Sequence, residues 1–152
     1  MQFANERHIE LMGLLGSSYT RLTRKIDLEL EQGCGLSLSW FDVLMHLSRS
    51  ESGHLTMTQL AINLSFTSGG LTRLVDRIVE AGLIERQNCP SDRRSIYVAL
   101  TPDGEAMLEK AAAIYVHGIE THLLAFLSKE NQALLAELLG TIVANNTEGV
   151  CC

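Results

Sequence analysis

The chain has 152 residues, 46% of them apolar and 20% charged, which suits one compact globular domain rather than a disordered segment. No stretch reaches the ~20 apolar residues of a membrane span, and charged residues such as Arg7 argue against a signal peptide, so we expect a cytoplasmic protein with no membrane partner. The formal net charge of −6 argues mildly against nucleic acid as a partner, unless positive charge is concentrated in one segment.

The first ~30 residues have the pattern of a long helix. Apolar residues recur at spacings of three and four from Ile9 to Leu30, and Gly33 and Gly35 predict the end of the helix. Other apolar residues lie off that stripe, so the helix has more apolar surface than one neighbour can cover: Leu11, Leu14 and Leu28.

Two shorter helices are predicted next. The first spans about 38–50, with Ser37 as its N-cap. Thr56 and Gln59 have the spacing of a capping box, which predicts a second helix beginning near Met57.

A further helix is predicted between Thr67, a candidate N-cap, and Gly82, a candidate C-terminal stop. Together with the preceding short helix it makes a helix-turn-helix. Its inward positions by spacing are Leu71, Leu74, Val75 and Ile78. Its outward face is small and polar near the N-terminus, where a duplex backbone could approach: Ser68, Gly69, Thr72, Arg73, Asp76 and Arg77.

Two short strands at 83–88 and 95–100 flank the turn residues Pro90, Ser91 and Asp92. A hairpin directly after a helix-turn-helix makes a wing. Residues 66–95 contain five arginines and four acids, so this segment is about +1 and the remainder about −7. The positive charge is therefore concentrated where a binding surface is expected.

The rest of the chain is predicted to be helical. Thr101 at the N-cap and Pro102 at the first position begin a helix that extends to about Phe126. Ser128 caps a last helix that continues to Val143, and residues 147–152 are expected to be a flexible tail.

Residues 55–108 contain GGLTRLVDR, GLIER, and DRRS followed by LTPDG, and in this order and spacing they resemble the MarR family of winged-helix transcriptional regulators. The flanking helices match by pattern only. The resemblance implies a mainly α fold with a small β-hairpin, in one domain at 1–146. Within it, a winged helix-turn-helix lobe at 37–100 would be flanked by dimerisation helices at 3–32 and 102–146.

The resemblance also implies a sequence-specific regulator that binds double-stranded DNA as a homodimer, most commonly as a repressor. A two-fold dimer predicts a pseudo-palindromic operator with half-sites about 10 bp apart. The second helix of a helix-turn-helix reads the major groove, so the candidate DNA contacts are Thr67, Ser68, Gly69, Thr72, Arg73 and Arg77. Capping alone is an alternative role for Thr67, and an ion pair with a neighbouring acid is one for Arg77.

In the family the wing tip reaches the adjacent minor groove, and Arg93 and Arg94 fall at the matching positions. The turn residue Ser91 beside them is a further candidate DNA contact. The resemblance implies that Asp92 orients a wing arginine through an ion pair. A simple turn role is the alternative for Asp92.

Many members of the family release DNA when a small effector binds between the dimer helices and the DNA-binding lobe. An aromatic or phenolic effector would suit a crevice bordered by Tyr19, Trp40, Phe41, Asp42 and His46. The alternative interpretation places these residues in the core at a domain junction.

Other classes of function find less support in the sequence. A thiol-based redox regulator is one alternative, although of Cys34, Cys89, Cys151 and Cys152 none lies near the start of the first helix. A winged helix used only for protein contacts is another. No cofactor is expected, the five histidines have no metal-binding spacing, and the chain lacks catalytic motifs, so we expect no enzyme.

Overall fold

The computed structural model describes residues 6–64, 68–88 and 96–146. Six α-helices and three β-strands are present in these ranges, and a short 3-10 helix at Leu124–Phe126 separates the last two helices. In chain order the elements are α1 (Glu6–Cys34), α2 (Leu38–Ser48), β1 (His54–Thr56), α3 (Met57–Leu64), α4 (Ser68–Glu80), β2 (Ile84–Asn88), β3 (Ile96–Leu100), α5 (Pro102–His122) and α6 (Lys129–Asn145). The expected fold class, mainly α with a small antiparallel sheet, is confirmed.

Hydroxyl side chains begin four of the helices at the predicted positions, and Thr101 begins α5 by accepting a hydrogen bond from the backbone N–H of Gly104. Ser37 accepts a hydrogen bond from the backbone N–H of Trp40, and Ser128 accepts one from Asn131. Thr56 and Gln59 form the complete capping box, because each side chain accepts a hydrogen bond from the backbone N–H of the other. Local sequence therefore determines where α2, α3, α5 and α6 begin.

The sheet has one strand more than the predicted hairpin. Strand order is β1-β3-β2, with both pairs antiparallel and Leu55 of β1 opposite Val98 of β3. A strand of three residues is too short to show an alternating pattern, so it was not predictable from periodicity. β1 joins the helix-turn-helix to the sheet, because α3 begins at the residue after it.

Two helix ends also differ from prediction. α2 ends at Ser48 instead of residue 50, and α5 ends at His122 instead of near Phe126. The apolar run after His122 continues the helical pattern in the sequence, but here the chain tightens into the 3-10 helix.

The core lies between the C-terminal half of α1, α2, α4, the sheet and α5. All four residues predicted to face inward from α4 are buried in it: Leu71, Leu74, Val75 and Ile78. Around them lie residues from the other elements, including Leu30, Phe41, Leu44, Leu60, Ile84, Val98 and Leu108. α6 contributes no buried residue. None of the helices in the described ranges has both the length and the apolar character that a membrane span requires.

The LTPDG motif joins the end of α4 to the start of α5. Gly82 has φ +75°, which ends α4 in the left-handed region. The backbone N–H of Thr101 donates to the Leu83 carbonyl at 3.1 Å, and its hydroxyl donates to the Gly82 carbonyl at 2.7 Å. A Cβ at Gly104 would lie 1.9 Å from the Leu83 oxygen, so only glycine permits this close approach. The hairpin and α5 are thereby held against the C-terminal end of α4.

Candidate functional site

The helix α4 has one buried and one exposed face, and the exposed face is the candidate site. Gly69, Thr72, Arg73 and Arg77 are exposed, whereas the four apolar residues of the opposite face pack into the core: Leu71, Leu74, Val75 and Ile78. This division follows from the 3.6-residue repeat of the sequence, so the structure brings together on one surface the described residues predicted for the reader helix.

The N-terminal end of α4 carries Gly69. Apart from its chain neighbours and the backbone of its own helix, nothing in the described residues lies within 4 Å of the position that a Cβ on Gly69 would occupy. The first N–H groups of a helix have no partner within it and favour an anion. Thr67 and the side chain of Ser68 lie outside the described residues, so their predicted contacts stay predictions.

The arginines of the exposed face differ in their surroundings. Within the described ranges, neither Arg73 nor Arg77 forms an ion pair with a carboxylate. Asp76, which lies between them, instead pairs with Arg86 of β2, with 2.7 Å between the carboxylate oxygen and the guanidinium nitrogen. Both helix arginines therefore lie on the surface beside a carboxylate that is already paired.

Arg86 was not among the site residues predicted from the sequence. Its register opposite the buried Val98 places it on the core-facing side of the hairpin, two residues beyond the buried Ile84. From there its side chain reaches α4. Alternation along β2 was the signal that could have indicated this direction.

The wing is described at its base. β2 and β3 pair over five residues, with Ile84 opposite Leu100 and Asn88 opposite Ile96. On the other side of β2 from Arg86, the Gln87 amide donates to the Glu85 carboxylate at 2.7 Å. The predicted tip contacts lie outside the described residues: Ser91, Asp92, Arg93 and Arg94.

The five candidate effector residues have different environments. Phe41 is 1% exposed and its ring stacks on that of Tyr115 in α5, with centroids 4.5 Å apart. Tyr19 is 69% exposed, and the other three candidates are partly buried. Phe41 thus packs in the core, as the alternative interpretation proposed for the group.

Two acidic groups at this junction between α2 and α5, Asp42 and Tyr115, have raised pKa values. Partial burial raises the pKa of Asp42, and the nearby His46 counteracts that rise. Burial also raises the pKa of Tyr115, and the neighbouring Asp42 and Tyr19 raise it further.

A crevice of about 660 Å³ lies between α1 and the end of α5. Its cationic groups are Arg21, Arg24 and Lys25, and its apolar wall includes Phe126, which is 78% exposed. His122, also in its lining, contacts Glu29 with 2.6 Å between Nε2 and Oε1.

Metal and thiol chemistry find little support within the described part of the chain. No group of three or more His, Cys, Asp or Glu residues there has the geometry of a metal site. Cys34 is a free, partly buried thiol that contacts the Leu30 carbonyl at 3.2 Å. Cys89, Cys151 and Cys152 lie outside the described residues.

Comparison with known proteins gives a consistent result. A model of the MarR family matches residues 35–95. The chain is 30% identical over 148 residues to the HTH-type transcriptional regulator PecS of Dickeya dadantii, which covers 93% of this chain and 88% of PecS. These matches agree with the resemblance found in the sequence motifs.

Solved structures of similar fold include two DNA complexes. A mutant MarR from E. coli complexed with operator DNA has a TM-score of 0.81 at 26% identity, covering 93% of this chain and 99% of that one. Sco3205, a MarR family transcriptional regulator from Streptomyces coelicolor in complex with DNA, has a TM-score of 0.85 at 24% identity, covering 98% and 92%. The latter supports the fold alone. The relatives are transcriptional regulators and not enzymes, which confirms the expectation that this chain is not an enzyme.

Proposed function

The chain belongs to the MarR family of winged-helix transcription regulators, and from this premise we propose that it binds a pseudo-palindromic operator in double-stranded DNA as a homodimer. The exposed polar face of α4, opposite four buried apolar residues, is the observation that carries the proposal. Such a helix is narrow enough to enter the major groove, where the base edges differ. A regulator of this kind acts on the chromosome, in the cytoplasm.

In this proposal, the described residues of α4 contact different parts of the duplex. Gly69 leaves space for the duplex backbone to approach the helix N-terminus, where N–H groups favour phosphate. Thr72 and Arg73 lie in the middle of the exposed face, and in this proposal they contact bases. Arg77 lies one turn beyond Arg73, and in this proposal it contacts phosphate.

The wing supplies a second contact in the adjacent minor groove. β2 ends at Asn88 and β3 begins at Ile96, so Arg93 and Arg94 belong to the segment of the sequence that joins these two strands. Guanidinium groups suit a narrow minor groove because negative potential is concentrated there. In this proposal Asp92 orients one of them through an ion pair, and Ser91 is a further DNA contact.

Apolar surface on α1 and α6 supports the homodimer. α6 has no buried residue, yet its exposed apolar side chains recur at helical spacing: Leu134, Leu138, Leu139, Ile142 and Val143. The N-terminal half of α1 likewise exposes Ile9, Met12 and Leu15. Surfaces of this kind mark protein interfaces. The crevice beside Phe126 is lined by α1 and by the residues at the end of α5, and we propose that it contacts the partner subunit.

Repression with release by a small effector completes the proposal. The contacts between α2 and α5 join the DNA-binding lobe to a dimerisation helix, through Phe41 and Tyr115. An aromatic or phenolic effector bound beside Tyr19, Trp40, Asp42 and His46 would shift that junction and so change the spacing of the two reader helices.

Fluorescence anisotropy tests DNA binding directly. The purified dimer is titrated onto promoter DNA and onto a scrambled duplex at two salt concentrations. We expect preference for the promoter and a steep loss of affinity with salt, since several phosphates are neutralised. Arg73→Ala should cost about 1–3 kcal/mol of binding free energy and reduce the preference at one position.

Lys110→Ala is the matched control, because it removes one exposed positive charge from α5. It should leave operator binding unchanged. Equal, weak binding to both duplexes by the native protein would refute sequence-specific regulation.

A further inference from the structure

We propose that Arg86 and Asp76 act together as positioning residues. Their ion pair fixes the wing against the reader helix, and it neutralises the carboxylate of Asp76 near the middle of the reading surface. The inference rests on the proposed DNA binding. Neither residue was among the predicted DNA contacts. Their proposed role follows from the contact between α4 and β2.

Asp76 raises an electrostatic problem for a DNA-binding face. It lies on α4 between Arg73 and Arg77, and it is only partly buried. A bare carboxylate at this place would be repelled by phosphate. Either neighbouring arginine could neutralise it, but a helix arginine used in this way would be less available for DNA.

The structure solves this problem with an arginine from another element. The Arg86 guanidinium nitrogen lies 2.7 Å from the Asp76 carboxylate oxygen, a short charge-assisted contact. Arg73 and Arg77 have no ion pair with a carboxylate in the described ranges. The pair therefore cancels the carboxylate charge and leaves both helix arginines on the open surface.

The same contact determines where the wing lies. Arg86 is opposite Val98, in the middle of the described part of the hairpin, and Asn88 at the end of β2 is only two residues further toward the tip. The base of the hairpin is held by buried Ile84 and by the bonds of Thr101. Arg86 adds a polar attachment to α4 beyond that base, nearer to the part that would enter the minor groove.

A direct phosphate contact by Arg86 is the competing interpretation, and the two make opposite predictions for Asp76. If Arg86 binds phosphate, removing the neighbouring negative charge should strengthen DNA binding. If the pair positions the wing, Asp76→Ala should weaken binding, although it removes a negative charge from a DNA-binding face.

Operator affinity is therefore measured for Asp76→Ala, Arg86→Ala and the double variant. We expect each single change to weaken binding by about tenfold, and the double change to cost little more than either one, as for residues that act together. The slope of log affinity against log salt should stay as in the native protein, whereas loss of a phosphate contact would lower it by about one.

A charge exchange provides the rescue. Asp76→Arg combined with Arg86→Asp retains the opposite charges on the two elements and should restore much of the affinity lost in the single variants. Gln87→Ala is the matched control, because it breaks a side-chain contact on the other side of the same strand. It should leave affinity unchanged.

Hydrogen exchange without DNA gives an independent measurement. Backbone amides of β2 and β3 should exchange faster in Asp76→Ala and Arg86→Ala than in the native protein and in Gln87→Ala. Unchanged exchange, together with tighter DNA binding by Asp76→Ala, would overturn the positioning role. If the native protein fails to bind DNA, the proposed function fails as well; if it binds and Arg86→Ala binds equally, only the role of this pair is wrong.

Discussion

Substituting Gly104 by alanine should destabilise the protein although alanine is the better helix former. Gly104 lies in the first turn of α5 and has no positive φ, so propensity alone predicts a gain of ~1 kcal/mol. The new Cβ, however, would lie 1.9 Å from the Leu83 carbonyl oxygen and 2.9 Å from its carbon. Both are backbone atoms that no rotamer change can move.

The start of α5 must therefore shift away from the end of α4. Forced overpacking costs about 1–3 kcal/mol, and the shift also strains the hydrogen bond from Thr101 to Leu83, worth about 1 kcal/mol. After the propensity gain is subtracted, we expect a net loss of about 1–3 kcal/mol, which lowers Tm by about 2–12 °C in a chain of this size.

Thermal unfolding followed by circular dichroism measures this change. Gly69→Ala is the control, because a Cβ there meets nothing within 4 Å among the described residues outside its own helix, and it should melt at or above the native temperature. A Gly104→Ala protein that melts with the control would refute the close packing of α5 against the turn at Leu83.

Three further predictions concern other parts of the molecule. Gly69→Ala should keep its stability yet weaken operator binding, measured by anisotropy, because the added methyl group occupies the space left for the duplex backbone. Burial raises the pKa of Asp42 above its ordinary value of 3.8, so the folded protein binds the carboxyl proton more tightly than the unfolded chain does. The free energy of unfolding therefore falls as the pH rises from the unfolded to the folded pKa of Asp42. Asp42→Asn should therefore raise Tm at neutral pH and reduce the pH dependence of Tm in the acid range; an unchanged pH profile would contradict the assigned burial cost. Leu138→Glu should convert the dimer to monomer in light scattering, whereas Glu137→Gln should not, and a stable Leu138→Glu dimer would exclude this face of α6 from the interface.

Features encoded within a few residues were predictable from the sequence. The two faces of α4 follow from its helical periodicity, and the beginnings of α2, α3 and α6 follow from capping side chains next to them. For the same reason the described part of the reader surface, Arg73 and Arg77 included, could be proposed from the sequence.

Features that depend on contacts between distant residues were not predictable. β1 has three residues and is a strand because β3, more than 40 residues later in the chain, provides its hydrogen-bond partners. The end of α5 gave no signal, because the apolar residues after His122 continue the helical pattern. The ion pair of Asp76 with Arg86 also requires the fold, since sequence spacing favours a pair within the helix.

Selection of bound sequences from a random DNA pool tests the central claim most directly. The native protein should enrich a pseudo-palindrome whose half-sites are about 10 bp apart, as two reader helices related by a two-fold axis require. Arg73→Ala should enrich a motif degenerate at one symmetric position. Recovery of no common motif by the native protein would contradict the assignment of α4 as a sequence-reading helix.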